Sequence, residues 1–338
     1  MAKNGNPKRD AFIAKKLAKM SLAEKIGQLL TFTRRGAMLT PSGVEQITKL
    51  QCGGLCLEPY AVETCKNLYW GNSQIDKSYK KPADYFTIAN TYFAGKAFGI
   101  SITPEDYTKY LNRLQKIALA RPSGIPLHMT IDFEGDFKND YMAGGIRQFP
   151  PPMGMAAIGD AKLTYKIGLT IAKQLANIGV TQMYSPVCDV NINPKNPEIG
   201  IRSFSDDPET CAKHAVALLK GFQDGGIAAT AKHFPGRGDS ATDAHDVLDV
   251  IRADKKRMHE VELYPFKAAI AAGVQAIMTG HSVYPAFDDK FPTTLSERSS
   301  ASRASSSPTP SAWRPSSSSG RCRGPAHWRS RPVATRSS

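Results

Sequence analysis

Apolar residues follow two rhythms along the chain. Short apolar runs at 52–57 (CGGLCL), 126–133 (PLHMTIDF), 180–190 (VTQMYSPVCDV), 227–234 (IAATAKHF) and 274–281 (VQAIMTGH) have the length and bounding residues of buried strands. Between them, positions 104–121, 160–178, 207–224 and 255–272 carry helical spacing. The last three open on turn or cap chemistry, as Asp206-Asp207-Pro208 does. Upstream, Ile13, Leu17, Met20, Ile26, Leu29 and Leu30 predict an amphipathic helix over 10–31. Ser21 and Glu24 form a capping box that starts a second helix inside it.

Strands alternating with helices of this length predict an α/β fold with a parallel sheet and right-handed crossovers. Polar residues collect where the apolar runs end: Asp132 and Glu134, Asp189, Lys232 and His233, and His281. In a barrel all strand C-termini open on one mouth, so these groups would converge. An open doubly wound sheet also gathers ligands at strand ends, but no G-x-G-x-x-G follows the first strand and no Walker segment appears. The expectation is a (β/α)8 TIM-type barrel of which this chain writes about five of eight strands.

Charge divides the chain. The formal net charge is +14, and residues 299–338 hold seven Arg with no Asp, Glu or Lys, leaving +7 for residues 1–298. The last forty residues contain fourteen Ser and no Leu, Ile, Phe, Tyr or Met, too little to form a core. That residue set is what GC-rich codons yield when read out of frame, and a frameshift just after Glu297 or Arg298 is expected. The competing reading is a genuine basic tail that binds nucleic acid or anionic surfaces. The N-terminus is charged and lacks an apolar core segment, so it does not read as a signal peptide. No apolar run is long enough to span a bilayer. The six cysteines form no C-x-x-C pair, and Cys188 sits in an apolar stretch as a reduced core thiol would. A cytoplasmic protein without a zinc site is expected.

The stretch from about 58 to 105 exceeds an ordinary connection and is rich in aromatics, including Tyr60, Trp70, Tyr85 and Phe98. They either stack on outer sugar rings or pack the insertion onto the barrel.

Two segments carry chemistry. In Lys232-His233-Phe234-Pro235-Gly236-Arg237-Gly238-Asp239 a strand delivers a lysine and a histidine, and a Pro/Gly turn swings over the mouth. Such a pair can donate hydrogen bonds to sugar hydroxyls, or can be a buried ion pair that pins the loop. In Asp243-Ala244-His245 a carboxylate two residues before an imidazole can hold one ring nitrogen and raise the basicity of the other.

Together, KHFPG-x-GD-x-x-x-D-x-H resembles the signature of family 3 glycoside hydrolases of the β-N-acetylglucosaminidase type. The resemblance extends to MSLAEKIGQL at 20–29, IDFEGD at 131–136, SPVCDVNINPKNPEIGIRSFSDDP at 185–208 and IMTGHSVYPAFD at 277–288, covering residues 12–297. It departs from the family pattern at Ala244, where serine is common, and at Asp136, where glycine is usual. It implies His245 as general acid/base with Asp243 as its orienting partner, and Asp132, Arg202, Lys232, His233 and Met278 around the sugar. It also implies retaining release of terminal β-linked N-acetylglucosamine, with no metal or organic cofactor. The family's nucleophile, an aspartate ending the sixth strand, has no counterpart after Arg298. The expected division is a truncated catalytic barrel at 1–298 and a disordered tail at 299–338. The expected partner is a carbohydrate, with neither nucleic acid nor membrane, and the oligomeric state stays open. A non-hydrolytic sugar-binding remnant, a family 3 β-glucosidase or phosphorylase, and a Schiff-base aldolase using Lys232 remain as alternatives.

Overall fold

The computed structural model describes residues 7–37, 39–58, 91–93, 96–98, 104–135, 146–244 and 247–295. The aromatic side chains of the 58–105 stretch, His245 and the 299–338 tail therefore lie outside the described residues.

Two helices lead in, α1 (Pro7–Lys19) and α2 (Leu22–Gly27). The expected capping box starts α2: Glu24 N donates to Ser21 Oγ at 3.2 Å and Ser21 N to Glu24 Oε2 at 2.8 Å. The predicted 10–31 helix ends early, because β1 (Thr31–Arg35) begins where its last turn would lie. There follow α3 (Pro41–Thr48), β2 (Gly54–Glu58), a short antiparallel pair β3 (Thr91–Phe93) and β4 (Lys96–Phe98), α4 (Pro104–Leu119) and β5 (His128–Ile131). Then come α5 (Pro152–Ala157), α6 (Ala161–Ile178), β6 (Gln182–Met183), α7 (Pro208–Asp224), β7 (Ala228–Phe234), α8 (Lys255–Glu260), α9 (Tyr264–Ala271) and β8 (Ala276–Thr279).

Six strands form one parallel sheet in the order β1-β2-β5-β6-β7-β8, one more than the apolar runs predicted. The addition is β1, whose sequence TFTRR is too polar to read as a buried run. The 255–272 helix is split: Pro265 has no N–H to give and sits in the first turn of α9, so the chain breaks after Glu260. The other helix starts behave as predicted, with Asp207 accepting from Thr210 N at 2.7 Å ahead of Pro208.

The core lies between the sheet and α4, α6 and α7. Ile167, Ile171, Leu175 and Ile178 recur at helical spacing on α6 and are buried against Leu218, Leu219 and Phe222 of α7. The two helices touch at glycines. A Cβ on Gly168 would stand 2.8 Å from Leu218 O, and one on Gly221 2.4 Å from Tyr165 O. Since every pairing of the six-stranded sheet is parallel, the ends of β5, β6, β7 and β8 share one rim. Cys52, Cys188 and Cys211 are free and buried, and burial pushes the Cys188 thiol well above its ordinary value. Cys56 is disulfide-bonded. Among the described residues no helix is long and apolar enough to cross a membrane.

Candidate active site

Four ionisable side chains meet at the rim. Asp132 follows β5 by one residue and Glu134 by three, while Lys232 projects from β7 and Arg202 from the short 3-10 turn Gly200–Arg202. Lys232 Nζ donates to Asp132 Oδ1 at 2.7 Å and pairs with the Glu134 carboxylate. Arg202 Nε donates to Glu134 Oε2, and its Nη1 to the Glu198 carbonyl at 2.9 Å. Two basic and two acidic side chains face one another, and that pairing is what makes their burial tolerable. Glu134 and Lys232 side chains are 2% and 3% exposed, Arg202 and Asp132 13% and 19%. Glu134 and Lys232 therefore form the floor, and Asp132 and Arg202 keep surface for a ligand.

Each charge is set by a contest between burial and its neighbours. Burial raises the Asp132 carboxyl above its ordinary value, and the pull of Lys232 is the smaller effect. Burial also opposes the charge on Glu134, but Arg202 and Lys232 together hold that carboxyl well below the usual carboxylate range. For Lys232 burial favours loss of the proton; Asp132 and Glu134 reverse this and keep it an ammonium. A lysine so held is a hydrogen-bond donor, not the depressed-pKa amine that Schiff-base chemistry requires.

His233 behaves differently from its neighbour. Burial pushes its imidazole below the ordinary value against the attraction of Asp189, so the ring is neutral near pH 7. Its Nδ1 lies 2.7 Å from Asp189 Oδ2. An ionised carboxylate can only accept there, so the proton sits on Nδ1 and Nε2 is left as an acceptor. The His233 Nε2 is therefore an acceptor, whereas the sequence suggested a donor at this position.

Asp189 does more than hold a ring. It accepts from His233 N at 3.2 Å and from Arg237 N at 2.8 Å, fixing both sides of the Phe234-Pro235-Gly236 turn. Tyr284 OH donates to Gly236 O at 2.8 Å from the β8 side. At Gly238 a Cβ would stand 1.6 Å from Val190 O, so only glycine lets this loop lie against the exit of β6. Arg237 is buried and pairs with Glu198, whose carboxylate also lies 3.7 Å from Arg202. The charges thereby run in a connected chain from Asp132 to Arg237.

Of the residues named from sequence, Asp132, Arg202 and Lys232 share this network, and His233 adjoins it on β7. Met278 lies on β8 and packs against buried Cys56 and Tyr184. Asp243 stands half-buried on the loop beyond the KHFPG turn, next to buried Ala244. His281, which was expected at the mouth with the other strand-end groups, has its Nδ1 3.3 Å from Thr294 Oγ1. Glu134, Asp189, Glu198 and Arg237 were not assigned roles from sequence. The first two were visible as carboxylates at strand ends; nothing local distinguished Glu198 or Arg237 from surface charges.

Residues 21–304 match the family model described as the glycosyl hydrolase family 3 N terminal domain. The chain is 36% identical over 183 residues to beta-hexosaminidase A of Pseudoalteromonas piscicida, covering 53% of this chain and 30% of that protein. It is 33% identical over 174 residues to a beta-hexosaminidase of Xylella fastidiosa (strain M12), covering 50% of this chain and 51% of that protein. The solved structure of a glycoside hydrolase family 3 beta-N-acetylglucosaminidase from Paenibacillus sp. str. FPU-7 superposes with a TM-score of 0.67 at 32% identity, over 82% of this chain and 45% of that one. The matched regions thus span about half or less of each relative's length.

Proposed function

The chain belongs to glycosyl hydrolase family 3, and on that footing we propose that its rim grips the terminal N-acetylglucosamine of a β-linked glycan. Asp132 would accept from sugar hydroxyls with its carboxylate, Arg202 and Lys232 would donate, and neutral His233 would accept at Nε2. His245, oriented by Asp243, would protonate the leaving oxygen and later deprotonate water along a retaining route. The observation that carries the reading is the balanced Asp132–Lys232–Glu134–Arg202 cluster, which keeps a cation and an anion in reach of a ligand without an unpaired charge.

Retaining hydrolysis also needs a nucleophile. Residues 299–338 contain no acidic side chain, so sugar binding and turnover are measured separately. Calorimetry with N-acetylglucosamine, run beside a chromogenic β-N-acetylglucosaminide assay, separates the two. Binding that disappears in Asp132→Ala and Lys232→Met supports the sugar grip; binding equal to the parent in both variants rejects it. Chromophore release would place a nucleophile among residues 1–298.

A further inference from the structure

The loop that presents Arg202 is long and has little regular structure, so side chains must set its shape. Between β6 and α7 its one named element is the 3-10 turn Gly200–Arg202. A buried amide joins this loop to its neighbour. Asn196 is 8% exposed. Its Oδ1 accepts from Glu198 N and from Ile199 N, both at 2.9 Å, which shapes the approach to the 3-10 turn. Its Nδ2 reaches across to the KHFPG turn after β7, donating to Arg237 O at 2.9 Å and to Gly238 O at 3.2 Å. Asn193 repeats the pattern nearby: its Oδ1 accepts from Lys195 N at 3.0 Å, and its Nδ2 donates to Ser240 O at 3.1 Å. The other foot of the 3-10 turn is held separately, where Ser203 Oγ donates to Asp189 O at 2.6 Å.

A side-chain amide offers two N–H donors and an oxygen with two acceptor sites, and Asn196 uses all of them. A carboxylate in its place would keep the acceptor bonds and lose both donors, and an apolar side chain would lose both kinds. The donors matter because they cross from one strand's loop to the next. Arg202 rides on the β6 loop, its N bonded to Ile199 O and its Nη1 to Glu198 O, each at 2.9 Å. Those carbonyls belong to the two residues whose N–H groups Asn196 holds. Lys232 and His233 lie on β7, and the carbonyls that Asn196 reaches stand in the turn directly beyond them. The geometry points to Asn196 as a positioning residue for Arg202: it ties the Arg202 turn to the exit of β7, so the guanidinium keeps a fixed place relative to Lys232 and His233. This rests on the reading given above in which Arg202 grips the sugar.

A double-mutant cycle on sugar affinity tests this without depending on turnover. In the full chain, N-acetylglucosamine binding is followed by NMR titration for the parent, Asn196→Asp, Arg202→Lys and the double variant. Arg202→Lys keeps the charge and loses the planar fork, so it should weaken binding without abolishing it. Asn196→Asp should weaken binding about fivefold in the parent, and by less than about twofold in the Arg202→Lys background, where no fork is left to position. A merely structural role would lower affinity by the same factor in both backgrounds, and that result rejects the positioning role. Parent-like binding by Asn196→Asp, with Arg202→Lys weakened, rejects it as well. If Arg202→Lys binds as the parent does, the sugar-grip reading of Arg202 fails, and the positioning role fails with it. Should Asn196→Asp not fold, Asn196→Ala runs the same cycle without adding a charge, with the same expected dependence on background.

Discussion

The rim at β5–β7 and the flank formed by α1, α2 and β1 are built by opposite rules. At the rim the charged groups are buried and answered by partners: Lys232 by Asp132 and Glu134, Arg202 by Glu134, His233 by Asp189. On the flank the apolar groups are exposed. Helix α1 buries no residue, and Phe12, Leu22 and Leu29 are 62%, 73% and 60% exposed. The difference locates what holds the described structure together. The rim is over-determined by internal contacts, so a single change there leaves a buried charge unanswered. The flank carries exposed apolar side chains that contribute little burial energy as they stand.

The largest effect is expected from Glu134→Ala. It would leave Lys232 with one carboxylate and remove the Arg202 partner at Glu134, and breaking a buried pair from one side costs about 3–5 kcal/mol. Urea denaturation of the parent and variant measures it. A loss below about 1 kcal/mol would mean that the cluster is open to water and the rim is no more constrained than the flank.

Gly238→Ala should follow, at roughly 1–3 kcal/mol, because the added methyl overlaps Val190 O and the loop must lift. Sugar affinity is the sharper measurement. A displaced KHFPG turn moves His233 and weakens N-acetylglucosamine binding, whereas intact affinity would show that the turn tolerates the shift.

A smaller, pH-dependent effect is expected at His233. Its folded pKa lies below the ordinary 6.5 because the ring is buried, so the unfolded chain takes up the proton first. Stability should therefore fall as pH drops below about 6.5, until the folded ring titrates as well. Burial lowers His214 in the same way, and it adds to the slope with the same sign. Denaturation midpoints for His233→Gln at several pH values between 7.5 and 5 should give a shallower decline than the parent. An identical slope would mean that the ring is solvated.

This contrast also explains what could be read from the chain alone. The helices α4, α6 and α7 follow from 3.6-residue spacing and caps, and β2, β5, β7 and β8 from runs apolar enough to be buried on both faces. Strand β1 escaped because TFTRR lies at the sheet edge, where one side needs no apolar cover. In the site, Lys232 and Asp132 were legible as polar groups ending apolar strands. Glu198 and Arg237 were not, since their burial comes from a pairing across 39 positions of chain that no local pattern announces. Asp189 was undervalued for a related reason: its partners are mostly backbone N–H groups of the KHFPG turn, which sequence does not display.

The smallest effect is expected on the flank, and it tests the comparison most directly. Leu22→Ser and Leu218→Ala each remove most of a leucine side chain. Leu218 is buried between α6 and α7 and should cost about 2–5 kcal/mol. Leu22 is 73% exposed and should cost less than about 0.5 kcal/mol in urea denaturation. A Leu22→Ser loss near that of Leu218→Ala would mean that the flank is covered in solution. Repeating the measurement across a range of protein concentrations then tells whether a second copy supplies the cover, because a cover made by association strengthens with concentration and one made within a single chain does not.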